Sequence, residues 1–167
     1  MNLQEIDFEN FYVLDKHSID SGTYGTVFFG YNKVSNLRVA IKYIKDYDIY
    51  QREKGILSEI RGLWNFPIFY YSLERQKNFY IIENLTGPSL DILLDICEGY
   101  FDLLKRKNIG RDLIINLEKL YNSGYIHLDL KPNNLLFRSL CKNDYINKLN
   151  IGILDFECRS LSSKQEK

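Results

Sequence analysis

The sequence has few small apolar residues: its 167 residues include one alanine, Ala40, and four valines. It also has no apolar run close to the roughly 18 residues that indicate a membrane-spanning helix. The N-terminus is acidic and interrupted by polar residues, which is not the pattern of a secretory signal. We therefore expect a cytoplasmic or nuclear protein with no membrane association.

An excess of either charge is also lacking, because 22 basic residues balance 22 acidic ones and no run of five like charges occurs. This balance gives no indication of a nucleic-acid partner. The cysteines Cys97, Cys141 and Cys158 are odd in number and far apart, and there are only two histidines. We expect free thiols in a reducing compartment and no zinc site.

The pattern that is present predicts one globular α+β domain in two parts. Hydrophobic residues make up 45% of the chain, enough for a core, and short β-type runs occupy the first half. After Pro88 the periodicity becomes helical, and Ser89 is placed to cap a helix. The predicted parts are a β-rich lobe with one helix over residues 1–84, a connector over 85–88, and a mainly helical lobe over 89–167.

Within the second part, apolar residues recur at helical spacing, and Gly124 follows them where helices often end. The residues with this spacing are Leu113, Ile114, Leu117, Leu120 and Tyr121. The pattern predicts a helix over residues 109–124. Further on, Lys148–Phe156 has the composition of a short buried strand that contains an acidic residue near its end.

The segment IDSGTYGTV lies between two β-type runs of the first part. Gly22 and Gly25 would let a hairpin bring its backbone N–H groups close to phosphates, because no Cβ blocks the approach. Two glycines are also common in an ordinary turn, so this motif alone is a weak signal.

The segment VAIK lies in an alternating run, which puts Ala40 and Lys42 on one face of a strand. A small residue beside a lysine leaves room for a flat ligand with a cation near its phosphates. An ordinary strand with a solvated lysine would explain the match equally well in isolation. However, the only alanine of the chain lies here, together with Val39, one of the four valines.

Glu53 interrupts the apolar stripe of a predicted helix that contains Ile49, Ile56 and Ile60. A buried carboxylate needs a partner, and Lys42 is the candidate. The alternative is an exposed glutamate in a weak helix.

The segment YIHLDLKPNNLLF brings several polar residues together between apolar ones. Asp129 can orient or deprotonate a hydroxyl nucleophile, and Lys131 can neutralise a transferring phosphoryl group. Asn134 offers a hard oxygen to Mg²⁺, and Asp155 can supply a charged metal ligand after the predicted strand. Each residue alone could simply form a turn, but the spaced set is improbable by chance.

In this order, the four motifs resemble the eukaryotic protein kinase family over about residues 13–156. The segment LTGPSLDILLDIC and the run from it to YIHLDLKPNN are most similar to the casein kinase I group. The resemblance implies a β-rich N-lobe with one helix, a mainly helical C-lobe, ATP and Mg²⁺ as cofactors, and a protein as substrate.

The resemblance also implies a role for individual residues. Ile19, Gly22, Gly25 and Val27 would form the glycine loop; Val27, Ala40 and Leu136 would enclose adenine; Ile82 would be the gatekeeper; and Glu83 and Leu85 would bind adenine through their backbone. Lys42, paired with Glu53, would hold the α- and β-phosphates. Asp129 would be the catalytic base, Lys131 the phosphate contact, and Asn134 and Asp155 the Mg²⁺ ligands.

The sequence departs from the family pattern at several positions. Asp20 replaces the first glycine of the loop, Leu128 replaces an arginine of the catalytic loop, and Glu157 replaces the glycine of the DFG motif. Twelve residues follow Asp155, so we expect an incomplete C-lobe without an activation segment. Apolar faces of the helix over 109–124 should then stay exposed unless a partner covers them.

These departures keep two alternatives open. One is a kinase-like module that binds nucleotide or a partner without efficient catalysis. The other is a phosphotransferase for small molecules, which also shows an HxDxxxxN loop and often a DFE segment, although LKPNN, VAIK and GPSL favour a protein kinase.

Overall fold

The computed structural model describes residues 7–8, 12–22, 25–63, 65–84, 86–138, 150–153 and 158–160. The chain divides into two compact units: Met1–Ser58 with Ile68–Leu85, and Glu59–Pro67 with Thr86–Lys167. The short segment Glu59–Pro67 therefore belongs with the second half of the chain.

Among the described residues, the first unit contains a six-stranded antiparallel sheet and one helix. In chain order the strands are β1 (Asp7–Phe8), β2 (Tyr12–Gly22), β3 (Gly25–Asn32), β4 (Arg38–Ile44), β5 (Phe69–Arg75) and β6 (Asn78–Asn84), and the helix α1 (Tyr47–Glu59) lies between β4 and β5. Their order in the sheet is β1-β2-β3-β4-β6-β5.

The two faces of this sheet have different roles because side chains alternate along each strand. One face carries a buried apolar cluster made of Leu14, Phe28, Val39, Ile41, Tyr80 and Ile82. The opposite face is covered by α1, where the Tyr50 ring stacks on the Phe79 ring at 5.0 Å between centroids and the Tyr47 ring lies 5.3 Å from it. These aromatic contacts hold α1 against β6.

In its described part, the second unit contains two helices and two short antiparallel ribbons. Its elements are α2 (Leu90–Ile96), α3 (Leu103–Asn122), β7 (Tyr125–His127), a 3-10 turn (Pro132–Asn134), β8 (Leu135–Arg138), β9 (Asn150–Ile153) and β10 (Cys158–Ser160). Strand β7 pairs with β10, and β8 pairs with β9. The β-rich first unit and the partly helical second unit confirm the predicted α+β class.

Helix α3 begins six residues before the predicted range of 109–124 and ends at Asn122, two residues before the end of that range. The Asp102 carboxylate accepts a hydrogen bond from the Lys105 backbone N–H at 2.8 Å and so caps the first turn. The last turn is followed by Gly124, whose φ of 86° favours glycine. Ser89 precedes α2 as predicted, but its side chain makes no capping hydrogen bond.

The outward face of α3 exposes large apolar side chains. Ile114 is 68% exposed and Tyr121 is 60% exposed, whereas Leu120 is buried. No helix in the described ranges is both long and apolar enough to cross a membrane.

Candidate active site

The first unit contains a buried ion pair between β4 and α1. The Lys42 Nζ and Glu53 Oε1 atoms are 2.9 Å apart, and the two side chains are only 10% and 8% exposed. Strand alternation directs Lys42 toward the α1 face, and the helical stripe of α1 directs Glu53 back toward the sheet. The structure thus contains the pair that the interrupted apolar stripe predicted.

This pairing fixes a cation in a partly desolvated place. Two buried charges lose hydration, and their attraction compensates only when the geometry is good. Lys42 lies opposite Val27 on β3 and opposite Ile81 on β6, so apolar neighbours restrict its position. An ammonium group held in one conformation in this way loses little further conformational entropy when it binds an anionic group such as a phosphate.

The predicted gatekeeper lies on the wrong face of the sheet. Ile82 is opposite Ile41 and belongs to the apolar cluster, on the face away from Lys42. Ala40 is opposite Glu83, so a buried glutamate takes the position beside Ala40 on the α1 face. Neighbouring residues of a strand have their side chains on opposite faces, so an assignment that is wrong by one residue selects the wrong face. The assignment of Ile82 as gatekeeper is corrected for this reason.

Gly22 ends β2 and Gly25 begins β3, and the two glycines lie opposite each other. A Cβ at Gly25 would overlap the Tyr43 carbonyl oxygen, so the close approach of β3 to β4 already requires glycine there. Ile19 lies in β2, and Val27 lies in β3 opposite Lys42. Their contacts with a nucleotide remain predictions.

The second unit holds the predicted catalytic loop just after β7. The Asp129 backbone N–H donates to His127 Nδ1 at 3.2 Å, and Asn134 Nδ2 donates to the Asp129 carbonyl oxygen at 2.9 Å and to its Oδ2 at 3.2 Å. Lys131 Nζ donates to the same Oδ2. Pro132 begins the 3-10 turn that brings Asn134 back to Asp129. These contacts join the three predicted polar residues.

The hydrogen bond from Lys131 is the main cause that holds the pKa of Asp129 below its ordinary value of 3.8. Desolvation opposes this shift, while the charge of Lys131 and the hydrogen bond from Asn134 add to it. A lowered pKa means that Asp129 is ionised at neutral pH. Asn134 is buried and uses Nδ2 toward Asp129, so its Oδ1 is left as a hard acceptor suited to Mg²⁺.

The remaining predicted residues are placed as follows. Leu136 lies in β8 opposite Gly152, and Leu128 is 62% exposed where the family pattern has arginine. Leu85, Asp155 and Glu157 lie outside the described residues. Within the described part of the chain, no group of three or more His, Cys, Asp or Glu side chains forms a metal site.

Sequence analysis missed two buried amides, Asn65 and Asn116. Asn116 Nδ2 donates to the Ile151 carbonyl oxygen at 2.6 Å, and Asn65 Nδ2 donates to Asn116 Oδ1 at 3.3 Å. Asn116 interrupts the apolar stripe of α3 between Leu113 and Leu120, as Glu53 does in α1. A polar residue within an apolar helical stripe was therefore visible in the sequence here too, although nothing in the sequence indicates the hydrogen-bond partners of Asn116.

Comparison with known proteins supports the resemblance. A model of the protein kinase domain matches residues 13–167. A probable casein kinase I homolog of Encephalitozoon cuniculi is 32% identical over 124 residues, 71% of this chain and 41% of that protein. A probable serine/threonine-protein kinase of Dictyostelium discoideum is 33% identical over 147 residues, 83% of this chain and 31% of that protein.

Casein kinase I homolog 1 of Schizosaccharomyces pombe is 28% identical over 144 residues, 83% of this chain and 32% of that protein. The chain thus spans less than half the length of each of these relatives. Because the family model covers most of the sequence and the predicted motifs lie within it, the chain belongs to the protein kinase family.

Proposed function

We propose that this chain carries the nucleotide-binding and phosphoryl-transfer residues of a casein kinase I-like serine/threonine protein kinase. Such an enzyme transfers the γ-phosphoryl group of ATP to a protein hydroxyl. The observation that carries the proposal is the arrangement of Asp129, Lys131 and Asn134, in which one carboxylate receives hydrogen bonds from both neighbours.

Asp129 acts chiefly by orientation in this proposal. Its lowered pKa makes it a weak base but keeps it ionised, so its carboxylate can accept a hydrogen bond from a substrate hydroxyl. The transition state of phosphoryl transfer is loose, so little proton transfer is needed before the phosphorus–oxygen bond forms. Lys131, which already contacts Asp129, is suited to neutralise charge on the transferring group.

The remaining site residues are assigned to the nucleotide and the metal. Lys42, held by Glu53, would bind phosphate oxygens, and Asn134 with Asp155 would hold Mg²⁺. Bound Mg²⁺ would neutralise phosphate charge. Ile19, Gly22, Gly25, Val27, Ala40 and Leu136 would surround the nucleotide, with the backbone of Glu83 and Leu85 as adenine contacts. The Asn134 geometry fits this role because its amide oxygen is left to accept a cation.

The partner of this site is proposed to be a protein substrate. The relatives are described as protein kinases, and this chain covers only part of their length, so its own substrates stay a matter of proposal. The exposed Ile114 and Tyr121 on α3 are consistent with a polypeptide that covers this helix.

The substitution Asp129→Asn tests the assignment. The amide keeps the size of the side chain but carries no negative charge and accepts a hydrogen bond from the substrate hydroxyl more weakly, so we expect phosphate transfer to casein to fall by about 10²- to 10⁴-fold. The rise in melting temperature caused by MgATP should be unchanged, because Asp129 is not assigned to nucleotide binding. Transfer is followed with radiolabelled ATP.

Asp95→Asn is the matched control, because Asp95 is an exposed carboxylate on α2. It should leave both transfer and the nucleotide-induced shift at the level of the unaltered chain. Undiminished transfer in Asp129→Asn would remove Asp129 from its assigned role.

A kinase-like module that binds nucleotide without transfer is the second candidate. It is favoured by the engagement of Lys131 with Asp129 and by the apolar, exposed Leu128 in place of a cationic residue. In that case MgATP would raise the melting temperature of the unaltered chain, but no phosphate would reach a protein. Labelling of a small alcohol without protein labelling would instead indicate a small-molecule phosphotransferase.

A further inference from the structure

A cavity lies between α2, the connection that follows it and the first half of α3. Its volume is about 290 Å³, near the lower end of the roughly 300–1,000 Å³ that small-molecule sites have. Apolar side chains form most of its wall, namely Leu90, Leu94, Phe101 and Ile109. None of the residues that line it is assigned to the nucleotide, the metal or phosphoryl transfer. The function proposed above therefore does not account for the cavity.

Gly110 lines this cavity from the middle of α3. Glycine is less favourable than alanine inside a helix, so packing or function commonly accounts for it there. Packing does not require glycine at this position, because a Cβ added to Gly110 would have no atom within 4 Å. A larger side chain here would take up room beside the apolar wall. The glycine thus keeps the cavity open.

The connection after α2 is held in one conformation by its backbone. The Gly99 N–H donates to the Leu94 carbonyl oxygen at 2.7 Å. The Tyr100 N–H donates to the Cys97 carbonyl oxygen at 3.0 Å. Gly99 has a φ of 77°, which favours glycine. This side of the cavity is therefore formed before a ligand binds, so little conformational entropy would be lost on binding.

Arg106 is the single charged residue among those that line the cavity. Its guanidinium carbon lies 5.5 Å from the centre of the Tyr100 ring. Such stacking uses the flat face of the guanidinium group and leaves the N–H groups at its edge able to donate. Among the described residues, no carboxylate forms an ion pair with Arg106, whereas the neighbouring Lys105 pairs with Asp102 at 3.2 Å. The cavity thus combines an apolar wall with one cationic group.

We propose that this cavity is a binding site for a small amphipathic carboxylate such as octanoate. The alkyl chain lies against Leu90, Leu94 and Ile109, which removes apolar surface from water. The carboxylate accepts two hydrogen bonds from the Arg106 guanidinium group, whose planar fork matches a carboxylate. Each non-hydrogen atom of such a ligand occupies roughly the 30 Å³ of a water molecule or less, so a chain of about eight carbons fits the cavity.

One cationic group beside one apolar cavity matches a ligand with one anionic end and one apolar chain. An alcohol of the same length can use the apolar wall, but it offers no negative charge to Arg106. A comparison of octanoate with octanol therefore isolates the contribution of the guanidinium group.

Two substitutions test the two parts of the site. Gly110→Leu fills the cavity, and its matched control is Gly55→Leu, because Gly55 is an exposed glycine of α1 that also has open space around an added Cβ. Arg106→Met removes the charge but keeps an unbranched side chain. Its matched control is Lys107→Met, because Lys107 is the adjacent exposed lysine and does not line the cavity.

The measurement is a titration with octanoate and with octanol, followed by the backbone amide NMR signals of Leu94 and Gly99. In the unaltered chain both signals should shift to saturation with octanoate. Octanol should bind about tenfold more weakly, because it lacks the hydrogen bonds between charged groups. Arg106→Met should lower the affinity for octanoate about tenfold, to the level of octanol, and leave the affinity for octanol unchanged. Gly110→Leu should abolish saturable binding of both ligands, and the two controls should match the unaltered chain.

Several outcomes would overturn the inference. These are the absence of saturable shifts with octanoate, equal affinities of the unaltered chain for octanoate and octanol, and octanoate binding that Gly110→Leu leaves undiminished. A control variant that loses as much affinity as its paired variant would also overturn it, because the effect would then not come from the cavity. Arg106 is exposed, so Arg106→Met gives the answer if Gly110→Leu does not fold. No nucleotide or metal is added, so the result does not depend on the proposed function.

Discussion

Two lysine–carboxylate pairs, one in each unit, have similar chemistry in opposite surroundings. Lys42 and Glu53 are 10% and 8% exposed and join residues 11 positions apart on a strand and a helix. Lys131 and Asp129 are 49% and 30% exposed and lie two positions apart in one loop. The first pair depends on the packing of the whole unit, whereas the second depends on a local turn.

Because of this difference, the Lys42 ammonium group is held in one position, whereas the Lys131 ammonium group can change partners. Water and salt compete weakly for a buried pair, so Lys42 stays with Glu53 until the unit itself opens. Around an exposed pair water competes strongly, and the pair contributes little to stability. Lys131 can therefore leave Asp129 when a charged substrate group arrives, while Lys42 is suited to hold a nucleotide in one place.

The largest effect should come from breaking the buried pair. Lys42→Met leaves the Glu53 carboxylate without its ammonium partner, so we expect a loss of about 3–5 kcal/mol in the free energy of unfolding. The rise in melting temperature with MgATP should also disappear. Urea denaturation monitored by fluorescence measures the first effect, and thermal shift measures the second.

The double variant Lys42→Met with Glu53→Leu sharpens this result. Replacing both charges by apolar groups leaves no buried carboxylate that has lost its lysine, so stability should recover toward that of the unaltered chain. Nucleotide binding should stay lost, because no cation remains. If the single and double variants were destabilised equally, the loss of unfolding free energy in Lys42→Met would not come from breaking the ion pair.

The same contrast explains why one pair was easier to predict. The Lys42–Glu53 contact follows from two local patterns, strand alternation in VAIK and a helical stripe interrupted by Glu53. Each pattern gives the direction of one side chain, and the two directions converge. The C-terminal end of α3 was likewise indicated by apolar spacing and by Gly124, whereas its start was not.

The gatekeeper could not be placed by the same means. Strand β6 contains Phe79, Tyr80, Ile81 and Ile82 in succession, and all four are buried. A strand that is apolar on both faces shows no alternation, so its sequence does not reveal which residues share a face. Only the register against β4 shows that Ile82 lies on the face away from Lys42.

The contact between Asn65 and Asn116 could not be predicted for another reason. Asn65 and Asn116 are 51 positions apart, and their contact depends on how a loop, a helix and a strand meet. A buried asparagine in an apolar stripe indicates that its amide has a hydrogen-bond partner, but it does not identify that partner. Leu85 and Asp155 lie outside the described residues, so their assignments stay predictions.

An intermediate effect should distinguish the two faces of the sheet that carries Lys42. Ile82→Val removes one methyl from the apolar cluster, so we expect a loss of about 0.5–1.5 kcal/mol in stability with no change in the MgATP-induced thermal shift. Ile81→Val is the matched control, since Ile81 is equally buried but lies opposite Lys42.

We expect Ile81→Val to cost similar stability and also to reduce the nucleotide-induced shift, because it loosens the packing beside Lys42. If Ile82→Val reduced the shift and Ile81→Val did not, the assignment of faces would be reversed. Urea denaturation and thermal shift on the same two variants supply both measurements.

The smallest effect on stability should come from the exposed pair, where the consequence is seen in titration. The hydrogen bond from Lys131 is the main cause of the lowered pKa of Asp129, so Lys131→Met should raise this pKa toward its ordinary value of 3.8. A depressed pKa in the folded state adds stability above the pKa of the unfolded chain and loses it as the pH falls through the folded-state pKa. In Lys131→Met, the stabilisation that the ionised Asp129 gives to the folded chain should therefore be smaller at neutral pH. On acidification it should be lost at a higher pH than in the unaltered chain.

Carboxyl ¹³C NMR of Asp129 over the acid range measures the shift in pKa, with Lys107→Met on the exposed face of α3 as the control. An unchanged pKa of Asp129 in Lys131→Met would mean that Asn134 and His127, rather than the lysine, keep this carboxylate ionised, and the second pair would then be no counterpart of the first.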